Sequence, residues 1–145
     1  MARNVRVDVG GVPYHVINRA VGRMCIFTKP NDYAVFIDIV QKVKEEHAMR
    51  ILAFVVMLNH WHLVLFPLRD GDMGRFMHQL TNSHTRKVHA NLKTTGTGPL
   101  YQGRYKSSVI ENDTHLQQRI LRCWMTSGAP LYAGPHLKAL HGKKK

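Results

Sequence analysis

The strongest constraint on this chain is a pair of apolar segments too close together to be anything but a hairpin. Arg50–Met57 is dense in Ile, Leu, Phe and Val, the composition of a buried strand. His60–Phe66 repeats that composition until Pro67, which lacks a backbone donor, ends the run. Only Leu58-Asn59 lies between them. Two strands joined so tightly run antiparallel, side by side. An isolated hairpin is not stable in water, so the rest of the chain must cover at least one face of this ribbon.

The flanking segments supply that cover. After Gly10-Gly11, the run Val12-Pro13-Tyr14-His15-Val16-Ile17-Asn18 reads as a first strand. Lys29-Pro30-Asn31-Asp32 opens a helix, with Tyr33, Phe36, Ile37, Val40 and Val43 at helical spacing and an end near His47. Beyond the hairpin and the turn Arg69-Asp70-Gly71-Asp72, a stripe of Met73, Phe76, Met77 and Leu80 opens a second helix. Its later part is polar and basic through Arg86, Lys87 and His89. Lys93–Pro99 is a loop, Tyr105–Ile110 a short strand, and Asp113 or Thr114 the expected cap of a third helix running to about Met125. The order β-α-β-β-α-β-α predicts an α+β fold: a ferredoxin-like split βαβ antiparallel sheet, helices on one face, an added C-terminal helix, and the other face open to a ligand. Ser127–Pro135 shows no period, so the chain divides into a folded domain, 1–126, and an irregular basic tail, 127–145.

Composition narrows the function. A chain of 145 residues, 44% hydrophobic, builds one core. The longest apolar run, Ile51–Leu58, is far too short to span a membrane. The N-terminus has no apolar stretch of a secretory signal, so a cytoplasmic protein is expected. Two cysteines, Cys25 and Cys123, make neither a disulfide framework nor a cysteine zinc site. The net charge of +12 is unevenly placed: residues 1–72 carry 9 basic and 7 acidic side chains, residues 73–145 carry 12 and 2. That second half suits a polyanion, most simply nucleic acid; the plainer reading is a solvated basic surface.

Two motifs could carry chemistry. In a strand, residues i and i+2 share a face, so His60 and His62 leave the sheet side by side, as two ligands of one metal must. With 10 histidines in the chain, about 0.7 such pairs would arise by chance. The pair therefore fits two readings: a metal site, or two half-buried imidazoles. In Tyr101-Gln102-Gly103-Arg104-Tyr105-Lys106, aromatics alternate with cations. That run suits either a nucleic-acid strand, rings stacking on bases while cations meet phosphates, or an ordinary charged loop. His78, His84 and His89 on the polar helix are expected to face solvent, and the Met73–Leu80 stripe to be core.

Longer stretches resemble a known family. RVDVGGVPYHVINRAVGR, MLNHWHLVLFP, DGDMGRFMHQLTNSHTRKVHA and GTGPLYQGRYKS, in this order over roughly residues 3–116, are similar to single-tyrosine transposases of the His-hydrophobic-His (HUH) superfamily, and most to the REP-associated branch. Leu58 departs from the Pro usual before Asn-His. The resemblance makes 1–126 a transposase-like domain and implies single-stranded or hairpin DNA as partner, Mg²⁺ or Mn²⁺ as cofactor and His60 and His62 as metal ligands. It also implies strand cleavage and rejoining through a covalent 5′-phosphotyrosine, and a homodimer as a possible assembly. Arg86, Lys87, Arg104 and Lys106 are then the expected phosphate contacts, with Tyr101 or Tyr105 for stacking.

The family's nucleophilic Tyr belongs on the helix after the last strand. Here Glu111-Asn112-Asp113-Thr114-His115-Leu116 still matches, but the expected position falls on Arg122 or Cys123. The abrupt end of the likeness suggests a frame-shifted or truncated gene end. Tyr132, the only downstream tyrosine, is the substitute candidate. Strand transfer is therefore one expectation, and a non-catalytic nucleic-acid-binding module derived from a transposase is the other. A metal-dependent hydrolase fits less well, since no carboxylate near His60 and His62 in sequence offers a general base.

Overall fold

The computed structural model describes residues 6–112, together with residues 114, 115 and 118 and the strand 132–133. Strand β1 (Tyr14–Arg19) leads through a short 3₁₀ turn to helix α1 (Pro30–Glu46). The hairpin β2 (Met49–Val56) and β3 (His60–Pro67) follows, then α2 (Asp72–Leu92), β4 (Lys106–Val109) and a two-residue strand β5 (Tyr132–Ala133). The sheet order is β4-β1-β3-β2-β5, each neighbouring pair antiparallel. Its first four strands have the split βαβ order that the sequence predicts.

Local chemistry sets the helix starts. Pro30 sits at the first position of α1, where a missing N–H costs nothing. Asp32 reaches back to accept the backbone N–H groups of Thr28 and Lys29 at 2.9 and 3.0 Å. The residue before helix α2 is Gly71, which has φ +80° and no side chain to cap with. Asp8 does that work from the N-terminal segment, accepting from Met73 and Gly74 N–H at 3.2 and 2.8 Å. The segment can lie this close because residue 10 is glycine: a Cβ there would come within 2.7 Å of the Arg69 backbone.

Alternation along the strands separates two faces. Tyr14, Val16, Trp61, Leu63, Leu65 and Val56 turn inward under α1 and α2, where Phe36, Val40, Met73, Phe76, Met77 and Leu80 complete the main core. The opposite face carries His15, Ile17 and Arg19 of β1 and His60, His62 and Val64 of β3. It is not the wholly open face the element order suggested. Ala53, Val55, Met57, Val64 and Ile110 form a second buried apolar cluster there.

At the C-terminal end of the described residues, Thr114 and His115 are helical. The cap is Asn112, whose Oδ1 accepts the His115 N–H at 2.8 Å, instead of Asp113 or Thr114. Gln118 is helical as well; the rest of the expected third helix, with Arg122 and Cys123, lies outside the described residues, as does the boundary at 126/127.

Candidate functional site

The hairpin turn delivers His60 at the start of β3. His60 stands opposite Arg19, and His62 opposite Ile17 on one side and Val55 on the other. The two rings leave the same face with centroids 5.2 Å apart and planes inclined by 73°. Each has its Nδ1 engaged. Asn59 donates through Nδ2 to the Arg23 carbonyl at 3.3 Å, so the atom 2.7 Å from His60 Nδ1 is its oxygen, Oδ1. A carbonyl oxygen only accepts, so His60 carries its hydrogen on Nδ1 and its lone pair on Nε2. Burial pushes the His60 pKa below the usual imidazole value, and the Arg19 charge adds to that. A neutral ring with Nε2 as acceptor is the form that binds metals. His62 Nδ1 lies 2.8 Å from His15 Nε2. Among the described residues, no group of three or more His, Cys, Asp and Glu is arranged to hold a metal.

Beside the histidines lies a cationic cleft. Lys106 of β4 pairs with Ile17, which pairs with His62, so the three occupy one row across the sheet. After α2 the chain returns along the end of β1: Tyr101 bridges Ala20, and the Gln102 N–H reaches the Arg19 carbonyl at 2.9 Å. Arg19, Gln102, Arg104 and Lys106 line a cleft of about 360 Å³ there. A second cleft, about 500 Å³, lies on the other side of the 99–105 loop, against Gly74, His78, Asn82 and Thr85 of α2. Asn18, Gly103 and Arg104 belong to both.

The structure sorts the sequence candidates. Arg104 and Lys106 line the smaller cleft together with Arg19, the residue opposite His60. Arg86 and Lys87 are exposed on α2, in the helix layer across the sheet, and line neither cleft. Tyr105 is half-buried, lines the larger cleft, and carries the Arg6 guanidinium 3.9 Å above its ring. Tyr101 corrects its expected stacking role. It lines the larger cleft but is only 7% exposed, and its hydroxyl accepts from Trp61 Nε1 at 2.9 Å and pairs with His84 Nδ1, so too little of the ring is exposed for a base to stack on. Tyr132 lies in β5 opposite Val56, in the register row of Trp61, one row away from His62.

Three contributors were missed. His84, expected in solvent, is 1% exposed; it continues the Met73, Phe76, Met77, Leu80 stripe by one more turn, the signal that could have placed it. Burial pushes its pKa down to about 4 and raises that of Tyr101. Arg19 and His15 reach the site through the β1–β3 register, which the sequence does not print.

This fold and site can be set beside known proteins. None of the curated proteins matches the chain. The family described as "Transposase IS200 like" matches residues 8–119. Among solved structures, the chain is similar to a REP-associated tyrosine transposase bound to a REP hairpin, at 20% identity and a TM-score of 0.67, over 83% of this chain and 68% of that one. It is also similar to a protein of Deinococcus radiodurans R1 assigned as a transposase, at 19% identity and a TM-score of 0.59, over 84% of this chain and 95% of the other. At such identities the likeness establishes the fold, and it agrees with a family match spanning most of the sequence. The chain therefore belongs to the IS200-like family of single-tyrosine HUH transposases, and its function is that of a transposase-like DNA-binding protein.

Proposed function

We propose that this protein binds hairpin or single-stranded DNA along the cleft of Arg19, Arg104 and Lys106, with Mg²⁺ or Mn²⁺ held by His60 and His62 beside it. The observation that carries the reading is the shared row: Lys106, Ile17 and His62 lie abreast on one sheet face, so a phosphate met by the cations is near the imidazoles. The donor set suits a divalent ion as two imidazoles with partnered Nδ1 atoms, and such an ion takes oxygen ligands besides, which a DNA phosphate supplies. When bound, the ion would polarise that phosphate. Arg104 and Lys106 offset backbone charge, and Tyr105 is the remaining aromatic for a base. A homodimer belongs to the same proposal.

Strand transfer needs a hydroxyl nucleophile as well, for which Tyr132 is the sequence candidate. The alternative, a binding module without strand transfer, is favoured by Arg122 and Cys123 standing where the family places its tyrosine. Incubating the full chain with a labelled hairpin and Mn²⁺ separates the two. A denaturant-resistant adduct that disappears in Tyr132→Phe establishes the enzyme; binding without an adduct establishes the module. Hairpin affinity independent of Arg104 and Lys106 would sink both.

A further inference from the structure

His60 and His62 are held at Nδ1 by different groups, and the second holder is unusual for its place. His15 stands opposite Val64 on β1, diagonal to His62, with Nε2 2.8 Å from His62 Nδ1, ring planes inclined by 17° and centroids 5.0 Å apart. It is 8% exposed, and Val64 and Ala53 beside it in the same row are buried and apolar. A valine or isoleucine would pack there without desolvating a polar ring. What an imidazole adds is a directed hydrogen bond.

A bond between two neutral imidazoles has two arrangements. If His15 donates, His62 spends its lone pair on that bond and carries hydrogen on Nε2, a form no cation can use. If His62 donates from Nδ1, its lone pair is on Nε2, the same tautomer that Asn59 imposes on His60. We infer that His15 is a positioning residue for His62: it accepts the Nδ1–H, fixes the ring's tautomer and rotation, and makes Nε2 the metal-facing atom. This rests on the reading of His60 and His62 as a metal pair. Asn59 and His15 then act as matched holders, one from the hairpin turn and one from the neighbouring strand.

The test uses the full chain at about pH 8, above the usual imidazole range. Long-range proton–nitrogen NMR of the metal-free protein reads which His62 nitrogen bears hydrogen, and calorimetry reads Mn²⁺ affinity. Wild type is expected to be protonated at Nδ1. His15→Phe, with a ring but no acceptor, is expected to move the hydrogen to Nε2 and weaken Mn²⁺ binding by about 10- to 100-fold. His15→Gln, whose amide oxygen accepts, retains most of the affinity. A wild-type His62 protonated at Nε2 overturns the inference whether or not any variant folds. Unchanged Mn²⁺ affinity in a folded His15→Phe overturns it too. Failure of the metal reading has its own signature: Mn²⁺ binds wild type no better than His60→Ala, which removes the role assigned to His15 even where the tautomer follows residue 15.

Discussion

Strand β3 has a histidine arrangement on each side, and the two differ in what they leave available. On the helix side, His84 is enclosed by Phe27, stacked at 5.4 Å, by Phe36 edge-on at 4.9 Å, and by the Tyr101 hydroxyl that also takes the Trp61 N–H. On the other side, His60 and His62 are only partly buried, and each is held at Nδ1. One residue type thus serves as an enclosed polar link in the core and as a held, partly buried ring on the opposite face of the sheet. Burial distinguishes the two, and the tripeptide His60-Trp61-His62 ties them together. A one-residue slip of β3 would put the indole on the face that now carries the histidine pair and both imidazoles in the core.

The largest test of this division is to remove the residue between the histidines. Trp61 is fully buried and donates to Tyr101. Trp61→Ala should lower unfolding stability by about 3–5 kcal/mol in a urea titration, much of what a domain this size possesses. The double variant His60→Ala, His62→Ala should cost less, about 1–2 kcal/mol for taking away the partner of the nearly buried His15 ring, while removing Mn²⁺ binding. Comparable losses from both would erase the distinction between the faces.

The next test uses protons. Unfolded, the His84 imidazole titrates near 6.5; folded, burial holds it to about 4. Between those values the unfolded chain binds the extra proton, so stability is complete above about pH 6.5 and falls as pH drops through the window. The loss from this group is about 3 kcal/mol once pH is below its folded value. His84→Phe, which keeps an aromatic ring against Phe27 and Phe36, should flatten the stability–pH curve in that window. An unchanged acid limb would mean that other groups set it.

These outcomes bear on what could be read without coordinates. The hairpin was legible because only Met57, Leu58 and Asn59 separate its strands, and the element order followed from periodicity and turn residues. Within it, His60 and His62 on one face followed from the strand period alone. Tyr101 was not legible: its burial depends on a bridge to Ala20 and a hydrogen bond to Trp61, both far away in sequence. The β1–β3 register, which brings His15 and Arg19 to the site, is likewise a pairing between distant segments. Nor could the sequence show the shift in β2 register between Ile51 and Ala53. Charge counts marked the second half of the chain as basic without separating Lys106, in the row of His62, from Lys87, on the outer side of α2.

That separation is the subject of the smallest predicted effect. Each phosphate neutralised by a side chain contributes roughly 0.7 to the slope of log affinity against log salt for single-stranded DNA, and about 0.9 for duplex. Lys106→Ala or Arg104→Ala should therefore weaken hairpin binding several-fold at moderate salt and reduce that slope by nearly one, if the cleft carries the backbone. Arg86→Ala and Lys87→Ala, on the far layer, should lower affinity only slightly and leave the slope almost intact, because charges beyond a screening length of about 8–10 Å contribute little. The reverse ranking would place DNA against α2 and leave the histidine face without its proposed substrate. Equal slopes for all four would mean that the basic half acts as a diffuse field, with no defined path for a strand past His60 and His62.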